Sequence, residues 1–184
     1  MDLLTAVNTI LPFLEANPVT TVDTKHPTVA AILASIDNAR LLTLSDGYWF
    51  NKERKTFFLT PENKILAPLN TLALYPTQNQ SYEIRGDYIY DLDNSTFTFT
   101  QGFDAVVYTD IQFEELPLFA ALTVQWRAAV NAYTQDYGME GTIKLLMERE
   151  READALLERE NLRKLQYSAM RSNPGFRYLN ALRS

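Results

Sequence analysis

Residues 142–170 run TIKLLMEREREADALLERENLRKLQYSAM, without a Gly or Pro and built mostly of good helix formers. The run reads as one helix, ~40 Å long at ~1.5 Å per residue. Its middle, Glu148-Arg149-Glu150-Arg151-Glu152, is charged all round. Such a helix cannot lie wholly in a core and is either a solvated spoke or a face for neighbouring subunits. Exposed Glu/Arg pairs contribute only ~0.2–0.5 kcal/mol each, so their better use is to set register against a neighbour.

Working outward, Gly138 and Gly141 separate this helix from an earlier one. Glu114-Glu115-Leu116-Pro117 opens that helix with carboxylates at its positive end. Leu118, Leu122, Trp126, Ala129, Val130 and Tyr133 form its expected apolar face. After the long helix, Pro174-Gly175 uncouples a tail that carries Phe176, Tyr178, Leu179 and Leu182. Apolar residues without obvious local partners suit docking elsewhere, on a partner or a neighbouring subunit. The alternative is packing back on their own domain.

Residues 1–16 read as a first helix, with Asp2 near its start and Asn17-Pro18 at its end. Pro27 opens a second, whose stripe of Val29, Ile32, Leu33 and Ile36 continues to Leu44 before Gly47 stops it. Tyr48-Trp49-Phe50-Asn51 and Phe57-Phe58-Leu59 follow, and the charged Lys52 to Lys55 between them suits a turn. Residues 64–75 suit a short strand and irregular chain, punctuated by Pro68 and Pro76.

Residues 82–111 are strand-rich. Phe97 and Phe99 alternate with threonines, Tyr88 and Tyr90 alternate with Ile89 and Asp91, and Val106 to Tyr108 make one more strand. Arg85-Gly86-Asp87 and Asp93-Asn94-Ser95 supply turns. The expected class is therefore mainly α (α+β), a helical bundle with a long C-terminal helix and a small antiparallel sheet. Residues 1–46 and 114–170 form the bundle, 47–111 a strand-rich insertion and 171–184 a docking tail of a single domain. Trp49, Phe50, Phe57, Phe97, Phe99, Leu118, Leu122 and Trp126 are the expected core.

Composition bounds the function. The 184 residues carry a net charge of −6, ten Tyr, ten Phe and no Cys. Thiolate metal sites, disulfides and cysteine nucleophiles are excluded. Few clustered cations are available to displace counterions from DNA. Neither a secretory signal nor a membrane span is expected, which suits a product made in a cytoplasm. His26 is the single histidine and precedes Pro27, where a helix-cap role suits it better than a catalytic triad. Asp91-Leu92-Asp93-Asn94-Ser95 begins like a calcium loop, but Thr96 stands where Gly is needed. Asp87, Asp91, Asp104, Asp110, Glu114 and Glu115 could supply a carboxylate pair for polysaccharide hydrolysis, although solvated turns explain them more simply. No cofactor fingerprint occurs.

Five pieces then stand in order along the chain: Ala6-Val7-Asn8-Thr9-Ile10-Leu11, Gly47-Tyr48-Trp49-Phe50-Asn51, Arg85-Gly86-Asp87-Tyr88-Ile89-Tyr90-Asp91, Phe113-Glu114-Glu115-Leu116-Pro117, and the charged helix 147–160. Through them the chain resembles the tail tubular protein A family, the head-to-tail adaptor or gatekeeper of short-tailed podoviruses. Tyr48 intervenes before the family's tryptophan, and the tail after Met170 and the proline-rich stretch 66–76 depart from the pattern.

The resemblance implies a virion protein, assembled in the host cytoplasm into a dodecameric ring. That ring would sit between the portal and the nozzle, tail tubular protein B, with tail fibres docking nearby. It implies a structural part with no catalytic residues, metal or cofactor. Twelve copies of a −6 chain would carry about −72, which suits a conduit along which DNA slides without binding. A tail-borne hydrolase and a stand-alone protein-binding module are the alternatives.

Overall fold

The computed structural model describes residues 1–23, 25–139 and 141–172, with the backbone alone for 167–172. The fold is α+β. In chain order it runs α1 (Leu3–Ile10), a 3₁₀ turn (Leu11–Leu14), α2 (Pro27–Ser45), β1 (Lys52–Phe57), β2 (Thr71–Pro76), β3 (Tyr82–Arg85), β4 (Tyr88–Asp91), β5 (Phe103–Thr109), a second 3₁₀ turn (Phe113–Glu115), α3 (Leu118–Tyr137) and α4 (Ile143–Ser172). It divides into two compact units. The helical one comprises Met1–Arg40 and the chain from Phe113 onward; the strand-rich one comprises Leu41–Gln112.

In the helical unit Asp2 caps α1, its carboxylate accepting from the Thr5 N–H at 2.7 Å and the Thr5 hydroxyl at 2.9 Å. The expected helix to residue 16 stops early. Pro12 cannot donate to a helical ladder, so the chain tightens into the 3₁₀ turn and ends at Glu15 with φ 55°. Pro27 opens α2 as expected, and Val29, Ile32 and Ile36 are buried. α3 starts later than residue 114, with Pro117 at its N-cap, and Gly138 at φ 73° follows its end.

The expected apolar face of α3 is corrected in part. Ala129 and Tyr133 are buried as expected, but they are joined by Ala120, Ala121, Val124, Ala128 and Ala132, whereas Leu118 is 60% exposed and Leu122, Trp126 and Val130 are half-buried. Small side chains let neighbouring helices approach closely, and the large ones are left on the rim. α4 contributes the buried Ile143, Leu146, Ala153 and Leu157, a stripe of helical spacing beneath its charged face.

In the strand unit β5 is central, flanked antiparallel by β1 and β2; β3 and β4 form a separate two-stranded pair, where a single sheet was expected. Lys52 to Lys55 are not a turn. They form most of β1, pairing from Lys52 opposite Tyr108 to Lys55 opposite Ala105. Charged side chains on an edge strand discourage pairing with other chains, which gives this run a place in a sheet despite its poor strand propensity. The alternation over 96–100 is not a strand either. Thr96 makes an isolated bridge to Asp91, and Phe97 is exposed, while Phe99 turns into the core.

That core gathers Phe57, Ile65, Leu74, Ile89, Phe99 and Phe103 with Ala105 and Val107. The Phe57 and Phe103 rings stack at 5.1 Å, and Tyr82 lies 4.5 Å from Phe103. Trp49 and Phe50, expected in the core, are half-buried.

Candidate functional site

The charged stretch of α4 separates into two roles. Arg127 of α3 donates from Nε to Glu150 Oε1 at 3.3 Å and from Nη2 to Asp154 Oδ1 at 3.2 Å. Glu150 and Asp154 lie one helical turn apart on one face of α4, a spacing that the planar guanidinium fork can span. The side chains of Arg127 and Glu150 are each 22% exposed, so the clasp is partly screened from water. Glu150, expected on a face toward other subunits, is thus engaged within its own chain. Glu148, Arg149, Arg151 and Glu152 are exposed, with Arg149 paired to Glu152 at 3.2 Å along the helix. The sequence reading missed Arg127. The available signal was a cation in the midst of an apolar helix, facing acids spaced by four on the next helix of an αα-hairpin.

Beside the clasp runs a groove of about 330 Å³ lined by Phe13, Leu122, Trp126, Leu145, Ala153 and Leu156. The Phe13 and Trp126 rings meet edge to face at 6.1 Å on its floor. Arg149 and Glu152 form part of its wall, and Leu145 is 45% exposed. The tail residues Phe176, Tyr178, Leu179 and Leu182 lie outside the described residues.

In the strand unit, Gly47-Tyr48-Trp49-Phe50-Asn51 is a structural joint. Asn51 is fully buried; its Oδ1 accepts from the Tyr48 N–H at 2.9 Å, and its Nδ2 donates to the carbonyls of Leu44 at 2.8 Å and Thr109 at 3.3 Å. Gly47 sits at φ 73°, and a Cβ there would fall 2.1 Å from Cζ of the Tyr108 ring. The motif therefore ties the end of α2 to β5.

Three of the residues weighed for catalysis, His26, Asp91 and Asp104, have structural partners. His26 Nδ1 accepts from the Val29 N–H at 3.4 Å, a cap on α2. Asp104 accepts from the Thr56 hydroxyl at 2.6 Å. Asp91 is buried and accepts from the Asn94 N–H at 3.0 Å and Nδ2 at 2.9 Å. Burial alone would raise its carboxyl, but the bonds from Asn94 and the Asp93 backbone outweigh that and hold it below the usual range. A general acid for glycoside cleavage needs the opposite shift. Glu114 and Glu115 are exposed in the second 3₁₀ turn.

The sequence family described as tail tubular protein matches residues 4–167. The chain is also similar to Tail tubular protein A of Klebsiella phage KP34, with 26% identity over 170 residues that cover 92% of this chain and 91% of that protein.

Proposed function

This chain belongs to the tail tubular protein family, a family of phage tail structural proteins, and on that premise we propose that it is the head-to-tail adaptor of a short-tailed phage. In this reading twelve copies form a ring between portal and nozzle, tail fibres attach nearby, and the assembled ring contributes to the DNA conduit. The observation that carries the reading is the family match, which runs from α1 through most of α4 and so takes in both compact units.

The exposed charges of α4 support it. Glu148 and Arg151 point away from the buried stripe of their own helix, where they are available to a neighbour in a heterologous contact of the kind that closes rings. Residues 171–184 serve in this reading as the docking segment. We assign the chain no catalytic role: Asp91 is committed to Asn94, and its low pKa suits a structural carboxylate. Among the described residues no helix is long and apolar enough to cross a membrane.

Electron microscopy of the purified chain, alone and mixed with the portal of the same phage, tests the reading. The expected image is a twelve-fold ring seated on the portal. Particles that stay monomeric and never join the portal would sink it.

A further inference from the structure

We infer that the groove between the first 3₁₀ turn, α3 and α4 is the seat of residues 173–184 from a neighbouring copy of this chain. The inference rests on the ring reading, which sets copies side by side. The groove is an apolar face that the described residues leave uncovered: Trp126 and Leu122 are half-buried and Leu145 is 45% exposed. Surface of this kind, bordered by charge, marks an interaction site more often than a bare surface.

The tail fits it chemically. Phe176, Tyr178, Leu179 and Leu182 match its apolar floor, and aromatic rings can meet Trp126 edge to face. Residues 173–184 carry only cations, Arg177 and Arg183, and the charged wall of the groove is the Arg149–Glu152 pair at 3.2 Å, so nothing of like charge stands unpaired against the tail and the match is made by the apolar floor.

Reach decides between the chain's own tail and a neighbour's. The α4 residues of the groove, Leu145 to Leu156, lie 27 to 16 positions before Ser172, the end of α4. At ~1.5 Å per residue that is ~40 to ~24 Å back along the helix. Phe176 is four residues past Ser172 and can travel at most ~13 Å, while Leu182 can travel ~33 Å, at ~3.3 Å per residue. Phe176 therefore cannot reach its own groove, and Leu182 can touch only the near end. Filling the groove takes the tail of another copy.

The chain has no cysteine, so single thiols can be placed at will. One full-length population carries Leu122→Cys and an affinity tag; a second, untagged, carries Leu179→Cys. The two are mixed at high concentration and treated with a short bis-maleimide linker. The expected product is a tagged–untagged dimer. Its yield should fall at least tenfold when the groove thiol is moved to Ala155→Cys, on the exposed face of α4, or when Phe176→Ser and Leu182→Ser are added to the tail.

A link formed only within one chain, in the Leu122→Cys/Leu179→Cys double variant, would overturn the inference in favour of a tail that folds back. Equal yields at Leu122→Cys and Ala155→Cys, or no linked product, would overturn it as well. Electron microscopy of the unsubstituted chain mixed with the portal reads the ring separately. Rings on the portal without the link remove the groove assignment alone, a chain that neither joins the portal nor links removes both, and the link in a chain that never joins the portal removes the ring alone.

Discussion

Asn51 is the residue on which the joint of the strand unit turns. Three backbone groups bond to its side chain: the Tyr48 N–H and the carbonyls of Leu44 and Thr109. Asn51→Ala removes all three bonds, although the Leu44 carbonyl keeps the Gly47 N–H at 3.2 Å and the Thr109 carbonyl is only part-buried, so the cost is about 2 kcal/mol given ~1–3 kcal/mol for a buried group left unpaired. Thermal unfolding checks this, and an unchanged midpoint would mean that water replaces the side chain. Asp91 makes a second residue-scale claim, about pH. Its carboxyl is held below the ordinary value of ~3.9, so it contributes stability that is fully present above that value and is lost as pH falls through the lower folded value. Asp91→Asn removes this contribution. Below about pH 4 the variant's stability should fall less steeply with acid than the parent's, and parallel acid-unfolding curves would refute the linkage.

At the scale of elements, the sequence announced every helix but not which way one of them faces. Pro27, Gly47, Pro117 and Gly138 mark helix boundaries because their backbone constraints act locally. The rotation of α3 is not local. Leu118, Leu122 and Trp126 make the larger apolar stripe, yet the alanine face is buried because close approach of the neighbouring helices rewards small side chains. The same limit hid the groove, which exists only because that large stripe lies on the rim. β1 was misread because four charged or polar residues look like a turn until β5 supplies a partner. The placement of Trp126 on the rim changes what its truncation should cost. Trp126→Ala should lose about 1–2 kcal/mol, well short of the ~3–5 kcal/mol expected for a fully buried ring. A larger loss by denaturant unfolding would restore Trp126 to the core. Arg127 is the converse case, a polar residue holding two elements together. A double-mutant cycle of Arg127→Ala and Glu150→Ala should give a coupling of about 1 kcal/mol, more than a typical exposed pair and weaker at high salt. A coupling near zero would make the clasp incidental to α3–α4 packing.

For the whole molecule the governing quantity is charge. The chain carries −6, and its densest basic run is Lys52, Arg54 and Lys55 on β1, interrupted by Glu53. Affinity for duplex DNA grows with the number of phosphates neutralised, and log K falls with log salt at a slope of about −0.9 per phosphate. Three cations allow a slope no steeper than about −3, whereas a protein making 6–10 such contacts already loses ~10³–10⁵ in affinity between 50 and 200 mM salt. Around those three cations the remaining net charge repels the polyanion, and in a ring the repulsion multiplies with each copy. The expected result of a mobility-shift titration is therefore weak binding in dilute buffer and no measurable complex at physiological salt. Substituting Lys52, Arg54 and Lys55 together should abolish the low-salt residue of binding. A sub-micromolar affinity at physiological salt would contradict the charge argument and, with it, the idea that the assembled protein lets DNA slide past without holding it.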